Sequence, residues 1–351
     1  MTLPSTETLL HKLGWDDGWE ASFADHRAAG LVPARVAIQH RGAYDLLGEA
    51  GEMRASATTR LFKLDELPAV GDWIGLDLTT NLVEVVLDRR ATISRKEVWH
   101  AAREQVLAAN IDVAFLVQAL PLDFNMRRLE RYLAMAWESG AQPIVLLTKT
   151  DLVDDVTRYL DEVESITLGS CPALAVSAKT GAGLSELRPW LEPNRTAVLL
   201  GSSGVGKSTI VNALAGEELL ATNEVREDDH AGRHTTTHRE LIILAAGGVI
   251  LDTPGIRELQ LWDADLEQTF ADVEEIALNC RFSDCNHDQE PGCAIRAALA
   301  DGSLSAERWQ SYVKLQRELE SIEARRNHLL RQERLREYKI RARQNRPKKQ
   351  R

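Results

Sequence analysis

The chain has 351 residues, of which 44% are hydrophobic and 27% are charged, and its formal net charge is −11. This composition is typical of a globular protein, and the length suffices for two or three domains. No apolar run approaches the roughly 20 residues that cross a bilayer, and the acidic N-terminus lacks a basic-then-apolar export signal. We therefore expect a cytoplasmic protein that has no membrane partner.

The N-terminal third predicts a short arm followed by a small β-barrel. Residues 1–33 combine acidic, small and Trp side chains, which favour a helical arm. Residues 34–98 contain about five short β-prone runs that Gly, Pro or Asn separate. Such runs are typical of a barrel such as the OB-fold, which often binds nucleic acid. A purely structural β-domain is the alternative interpretation.

The middle of the chain predicts an α/β domain over residues 105–261. Strand-like runs alternate there with amphipathic helical runs, a pattern that favours a parallel sheet covered by helices on both faces. Residues 262–325 predict a mainly helical domain, whose last helix carries an apolar stripe that we interpret as core packing. No internal repeat is evident.

Basic residues are concentrated at the C-terminus. Residues 322–351 contain 12 Lys and Arg against 3 Glu, whereas the rest of the chain contains 30 basic and 50 acidic residues. A basic tail releases counterions when it meets phosphates, so residues 326–351 are a candidate nucleic-acid contact. A merely solvated tail is the other interpretation.

A phosphate-binding loop lies past the middle of the chain. Residues 201–208 fit the pattern Gly-x-x-x-x-Gly-Lys-Ser, and they follow a strand-like run and precede an amphipathic helix. Backbone N–H groups would wrap the phosphates, Lys207 would reach the β- and γ-phosphates, and Ser208 would bind Mg²⁺. The predicted loop residues are Gly201, Ser202, Ser203, Gly204, Val205, Gly206, Lys207, Ser208 and Thr209.

Two segments upstream of the loop predict guanine recognition. In residues 148–151 (Thr-Lys-Thr-Asp), the Asp151 carboxylate would accept both N–H groups of the guanine edge, which adenine lacks. In residues 176–181, the Ala178 N–H would meet guanine O6. Each motif is weak alone, but both follow predicted strands, where open parallel sheets bind ligands. The predicted base-binding residues are Thr148, Lys149, Thr150, Asp151, Ser177, Ala178 and Lys179.

A third segment lies downstream of the loop. Asp252 ends a strand-like run and would hold Mg²⁺, and the N–H of Gly255 would meet the γ-phosphate. The base motifs thus come first, then the phosphate loop, then the magnesium and γ-phosphate motifs. We interpret them as one GTP site in circularly permuted order, because domain termini lie at the surface and often close together.

The C-terminal third predicts a metal site. Cys280, Cys285, His287 and Cys293 offer three thiolates and an imidazole within fourteen residues, a donor set that suits tetrahedral zinc. A closed set of four ligands leaves no open position, so one structural zinc ion per chain is expected. Unrelated buried thiols are the alternative. The fourth cysteine, Cys171, is interpreted as an ordinary small residue.

The order of these motifs resembles the ribosome small-subunit-dependent GTPase A (RsgA) family over nearly the whole chain. The resemblance implies an OB-fold, a circularly permuted P-loop GTPase domain and a zinc domain. It also implies a GTPase that assists late maturation of the small (30S) ribosomal subunit, binds ribosomal RNA and is stimulated by that subunit. We expect GTP, GDP and the subunit as partners of a monomer.

Two positions depart from the commonest GTPase pattern. Thr148 occupies the position at which the guanine motif usually begins with Asn. The hydrogen bond by which that Asn braces the neighbouring loop therefore has no assigned donor in the sequence. Ile256 follows the Asp-Thr-Pro-Gly motif, near which many GTPases place a catalytic Gln. His234 is a candidate to orient water instead, although a solvated loop histidine is an equal alternative. Thr235 or Thr236 would bind Mg²⁺ and the γ-phosphate.

Two other function classes fit parts of the pattern. One is a GTP-gated RNA-binding translation or RNA-chaperone factor in which hydrolysis is incidental. The other is a metallochaperone GTPase, against which the closed four-ligand set argues.

Overall fold

The computed structural model describes residues 8–96, 104–220, 240–252, 269–282, 285–288, 290–317 and 320. The chain forms two compact units. The first comprises Met1–Ile93 and Val106–Leu259, and the second comprises Ser94–Gln105 and Gln260–Arg351. Within the described ranges, no helix is both long enough and apolar enough to cross a bilayer.

The first unit begins with an arm of two helices, α1 (Leu9–Lys12) and α2 (Asp17–Ala28). The Asp16 side chain caps α2 by accepting a hydrogen bond from the Trp19 N–H at 2.8 Å. Aromatic side chains then attach the arm to the barrel that follows: the rings of Trp15 and Trp73 meet edge to face with centroids 4.7 Å apart.

Five strands after the arm close into a barrel. They are β1 (Val32–Gln39), β2 (Tyr44–Gly48), β3 (Gly51–Ala57), β4 (Trp73–Asp77) and β5 (Leu82–Val86), with the short helix α3 (Thr59–Leu64) between β3 and β4. The strand order is β1-β2-β3-β5-β4, and β4 also pairs with β1, which closes the barrel. The predicted small β-barrel is therefore confirmed.

The described residues of the α/β part of the unit contain six strands and three α-helices. In chain order they are β8 (Val113–Ala119), α4 (Met126–Ser139), β9 (Gln142–Thr148), α5 (Thr157–Thr167), β10 (Ala173–Ala175), β11 (Thr196–Leu200), α6 (Lys207–Ala215), β12 (Glu240–Ile243) and β13 (Val249–Asp252). Two further strands, β6 (Thr92–Lys96) and β7 (Glu104–Ala109), form a separate two-stranded sheet.

The strand order β10-β9-β8-β11-β13-β12 confirms the predicted α/β sheet. All pairs are parallel except β12–β13, which is antiparallel. Every residue of β8 and of β11 is buried, which explains why these strands appear in the sequence as largely apolar runs.

The barrel and the α/β sheet are continuous. Strand β12 pairs with β1 of the barrel at Ile38 and Glu240, so the whole assembly is an eleven-stranded sheet. One apolar core also spans the arm, the barrel and the strands of the α/β part, since it contains Trp19, Trp73 and Leu116. These parts of the chain therefore form one body.

The second unit contains α7 (Ala271–Ala277), α8 (Ala294–Asp301) and the helical residues 306–317. Arg308 binds the Asp272 carboxylate with two nitrogens, at 2.8 and 3.1 Å, and donates to the Thr269 carbonyl. Tyr312 donates to Glu274 at 2.8 Å. Among the described residues, the apolar stripe predicted for the last helix packs within this unit, since Leu315 is buried and the Tyr312 ring meets the Phe270 ring edge to face.

Candidate nucleotide site and metal centre

The phosphate loop joins β11 to α6 at the carboxyl edge of the parallel strands. Gly204 and Gly206 adopt φ angles of 77° and 101°, which favour glycine and let the loop turn into the helix. A Cβ atom on Gly201 would lie 2.5 Å from the Val117 carbonyl oxygen, so a larger residue does not fit. The start of a helix with free N–H groups favours bound phosphate.

Lys207, the first residue of α6, lies over this loop. Its Nζ donates hydrogen bonds to the carbonyl oxygens of Gly201 and Ser202, at 2.8 and 2.6 Å. The positive charge is therefore held beside the backbone that is predicted to cradle the phosphates. Ser208, the predicted Mg²⁺ ligand, follows it as the second residue of the helix.

Thr148, the last residue of β9, braces the phosphate loop. Its Oγ1 lies 2.6 Å from the Val205 carbonyl oxygen and 3.3 Å from that of Gln118. A hydroxyl carries one hydrogen, so the shorter contact is the principal hydrogen bond. The loop-bracing hydrogen bond expected of the usual Asn is thus made by the Thr148 hydroxyl, and Thr148 is buried.

We expect Thr148→Val to weaken GDP and GTP binding by about five- to tenfold, because a lost buried hydrogen bond costs about 1 kcal/mol. Thr148→Ser keeps the hydroxyl and should retain most of the affinity. Titration with a fluorescent GDP analogue measures both variants. Equal affinities for the valine variant and the wild type would show that the bond does not position the loop.

Asp151 lies exposed in a short 3₁₀ helix, Thr150–Leu152. Ser177 Oγ donates a hydrogen bond to Asp151 Oδ1 at 2.6 Å. This bond is the main reason that the pKa of Asp151 lies below its usual value; the charges of Lys179 and Lys149 act in the same direction, and slight desolvation opposes them. The carboxylate is therefore ionised at neutral pH and oriented by Ser177.

Backbone hydrogen bonds join the two predicted base-binding loops. Val176 N donates to the Leu147 carbonyl at 2.8 Å, and Thr150 N donates to the Val176 carbonyl at 3.4 Å. Within the second loop, Thr180 N donates to Ser177 Oγ at 3.2 Å. The structure therefore brings the two guanine motifs together, as the sequence predicted for a single site.

We expect Asp151→Asn to lose preference for GTP and to favour xanthosine triphosphate, because the amide presents a donor where xanthine has an oxygen. A competition assay with the two nucleotides measures the preference. The matched control is Asp154→Asn, which changes another exposed carboxylate a few residues along the chain. A base preference that is the same in Asp151→Asn and in the wild type would refute the assignment.

Of the four residues predicted to bind Mg²⁺, Ser208 and Asp252 lie among the described residues. Asp252 ends β13, which lies beside β11 in parallel, so it reaches the same edge of the sheet as the phosphate loop. The predicted residues His234, Thr235, Thr236 and Gly255 lie outside the described residues, and their roles stay predictions.

The four predicted metal ligands come together in the second unit. The ligand atoms of Cys280, Cys285, His287 and Cys293 all lie within 4.8 Å of one another. His287 Nδ1 lies 3.5 Å from the Sγ atoms of both Cys280 and Cys293. Tetrahedral zinc with ordinary bond lengths would separate its sulfur and nitrogen ligands by about 3.6 Å. The donor set and its spacing therefore fit a four-ligand zinc ion.

The local backbone explains this convergence. His287 has a left-handed φ of 59°, which turns the chain sharply between the second and last cysteines. Cys293 is the N-cap of α8, and the N–H of Ala294 in that helix donates to Cys280 Sγ at 3.3 Å. The ring of Trp309 meets the His287 ring edge to face, with centroids 5.6 Å apart. The site is thus held by a helix start and by an aromatic contact.

The fold and the motifs define the class of protein: a P-loop GTPase whose base-recognition strand, β9, precedes its phosphate-loop strand, β11. The structure of YjeQ from Thermotoga maritima is similar, with a TM-score of 0.62, 27% identity and coverage of 82% of this chain and 98% of that chain. The structure of YloQ, a circularly permuted GTPase, shares the fold with a TM-score of 0.58, 24% identity and coverage of 83% and 96%.

Sequence comparison gives the family. The family model for the RsgA GTPase matches residues 86–262. The small ribosomal subunit biogenesis GTPase RsgA of Opitutus terrae is 46% identical over 88% of this chain and 89% of its own. Its namesake from Streptomyces coelicolor is 43% identical over 96% of this chain and 94% of its own. The chain belongs to the RsgA GTPase family and is an enzyme that hydrolyses GTP, as the sequence motifs predicted.

Proposed function

We propose that this GTPase assists late maturation of the small (30S) ribosomal subunit, binds ribosomal RNA and is stimulated by the subunit. The observation that carries the proposal is the similarity, over nearly the whole chain, to relatives named small ribosomal subunit biogenesis GTPases. The closed N-terminal barrel supports it, since such barrels often bind nucleic acid. The basic residues 326–351, which lie outside the described residues, are a second candidate contact for RNA.

The proposed chemistry divides among three parts of the GTP site. Asp151 selects guanine, and Lys207 with the phosphate loop stabilises the charge that develops on the phosphates. Ser208, Asp252 and Thr235 or Thr236 hold Mg²⁺. His234 orients the attacking water, and the turnover of His234→Ala in the assay below tests this role.

The proposed organisation follows the sequence prediction. The boundaries are an arm at 1–33, a barrel at 34–98, a GTPase domain at 105–261, a zinc domain at 262–325 and a tail at 326–351. The zinc domain holds one structural zinc ion, because all four protein ligands are present in one cluster. The chain acts as a monomer in the cytoplasm.

We expect purified 30S subunits to raise the turnover of GTP at least about tenfold, which corresponds to a barrier lower by about 1.4 kcal/mol. Phosphate release with and without 30S subunits measures the effect, and purified large subunits are the control. Binding to 30S subunits without faster turnover would favour the alternative, a GTP-gated RNA-binding factor in which hydrolysis is incidental. Stimulation by large subunits alone would contradict the proposed partner.

A further inference from the structure

Arg35 is a buried charge in the middle of β1, and only 1% of it is exposed. Its guanidinium donates to three backbone carbonyls, those of Leu13, Gly71 and Asn110, the last two at 3.1 Å. These acceptors come from three separate parts of the first unit. Leu13 belongs to the arm, Gly71 to the loop before barrel strand β4, and Asn110 to the connection into the GTPase strand β8.

The Asn110 side chain strengthens the same junction. Its Nδ2 donates to the Gly71 carbonyl at 3.1 Å, and its Oδ1 accepts from the Arg90 N–H at 3.0 Å. A Cβ atom on Gly71 would lie 2.2 Å from the Ala109 carbonyl oxygen, so the barrel backbone approaches this connection as closely as glycine allows. The barrel and the start of the GTPase sheet are therefore in direct contact around Arg35.

Two residues further along, the junction reaches the strand that carries the phosphate loop. Asp112 Oδ2 accepts a hydrogen bond from the N–H of Thr196, the first residue of β11, at 2.7 Å. The Asp112 N–H donates to the Thr196 carbonyl at 2.8 Å. The backbone from Asn110 to Asp112 thus joins the hydrogen bonds of Arg35 to those of β11.

The charge of Arg35 makes the junction resistant to separation. Burial lowers the pKa of Arg35 to about 10, while the charges of Asp112 and Asp72 act in the opposite direction. The guanidinium therefore stays charged at neutral pH. If the barrel moved away from the GTPase strands, a buried charge would lose its hydrogen-bond acceptors, which is costly.

We propose that Arg35 is a positioning residue that joins the barrel and the GTPase strands into one cooperative unit, so that a nucleotide bound at the phosphate loop also stabilises the barrel. The inference goes beyond the proposed function, because it requires nucleotide binding and no ribosomal partner. It makes the barrel sensitive to whether the GTPase site is occupied.

Hydrogen exchange of the full-length protein tests this coupling, with GDP as the ligand. If the barrel and the GTPase strands open as one unit, GDP at 100 times its Kd lowers the population of the open form about 100-fold. Amides that exchange only through this opening should then exchange about 100 times more slowly, both in β1–β3 of the barrel and in β8 and β9. In Arg35→Met, β8 and β9 should keep this protection, whereas the barrel strands should slow less than about tenfold.

Arg89→Met is the matched control. Arg89 is a partly buried arginine whose guanidinium donates hydrogen bonds to the Asp72 carboxylate and to the Leu67 carbonyl, both within the barrel. This variant should destabilise the barrel and still keep its protection by GDP. The Kd for GDP should be unchanged in both variants, because neither arginine contacts the phosphate loop.

Asn110→Ala provides a second test if Arg35→Met does not fold, since it removes the bond to Gly71 but leaves the charge in place. It should reduce the protection of the barrel by GDP in the same direction and to a smaller extent. Wild-type barrel strands that GDP does not slow would overturn the proposal. Full protection of the barrel by GDP in Arg35→Met would also overturn it, as would full protection in Asn110→Ala if that variant has to replace Arg35→Met. An equal loss of barrel protection in the control Arg89→Met would overturn it as well.

Discussion

Lys207→Ala is expected to lower the basal rate of GTP hydrolysis by at least about 10²- to 10³-fold, the usual effect of removing one preorganised group that stabilises transition-state charge. The structure places this ammonium group against the carbonyls of Gly201 and Ser202, inside the loop itself. Alanine has no ammonium group, so the variant brings no positive charge from this position to the phosphates. Single-turnover release of phosphate at saturating GTP measures the chemical step separately from affinity.

The control for this experiment is Lys63→Ala, which removes an exposed lysine from α3 of the barrel. Its basal hydrolysis should equal that of the wild type. The thermal midpoint of Lys207→Ala should also be compared with that of the wild type, because Lys207 bonds to its own loop. A folded Lys207→Ala protein that hydrolyses GTP at the wild-type rate would disprove the site.

The second large effect concerns the metal centre. Purified protein is expected to contain about one zinc ion per chain, and simultaneous replacement of Cys280, Cys285, His287 and Cys293 by Ala should abolish it. Structural zinc contributes an apparent 10–16 kcal/mol to small zinc-dependent folds, so the second unit should lose its cooperative unfolding transition. Elemental analysis and thermal unfolding measure the two effects.

Cys171→Ala is the matched control for the metal centre. Cys171 is buried, and burial raises the pKa of its thiol to about 12, so it stays a neutral thiol. Its Sγ donates to the Pro143 carbonyl at 3.3 Å, within the first unit. Zinc content should be unchanged in this variant. Stoichiometric zinc in the quadruple variant would mean that other residues are the ligands.

The sequence predicted the elements whose signals are local. A glycine-rich loop between a strand and a helix needs a fixed local backbone, and the structure has positive φ angles at Gly204 and Gly206. Four metal ligands within fourteen residues converge because the chain between them is short. The alternation of strands and helices likewise predicted the parallel sheet, since a strand that is buried on both faces consists mostly of apolar residues.

The contacts between distant segments were not predictable in this way. The Thr148 hydroxyl finds a carbonyl 57 residues away, and nothing in local spacing distinguishes that hydroxyl from a solvated one. The bond from Ser177 to Asp151 was equally unpredictable, because a serine beside a predicted base-binding turn has many possible partners. The pairing of Ile38 with Glu240 depends on how two folded parts meet, which periodicity within either part does not encode.

The core shared by the arm, the barrel and the GTPase strands bears on how this protein can be divided and how it can evolve. A gene fragment that encoded residues 105–261 alone would leave the edge of β12 without β1 and would expose the apolar surface that Trp19 and Trp73 cover. Unpaired edges and large apolar patches promote self-association. The barrel is consequently a poor candidate for exchange by domain shuffling, and the two parts are expected to be inherited together.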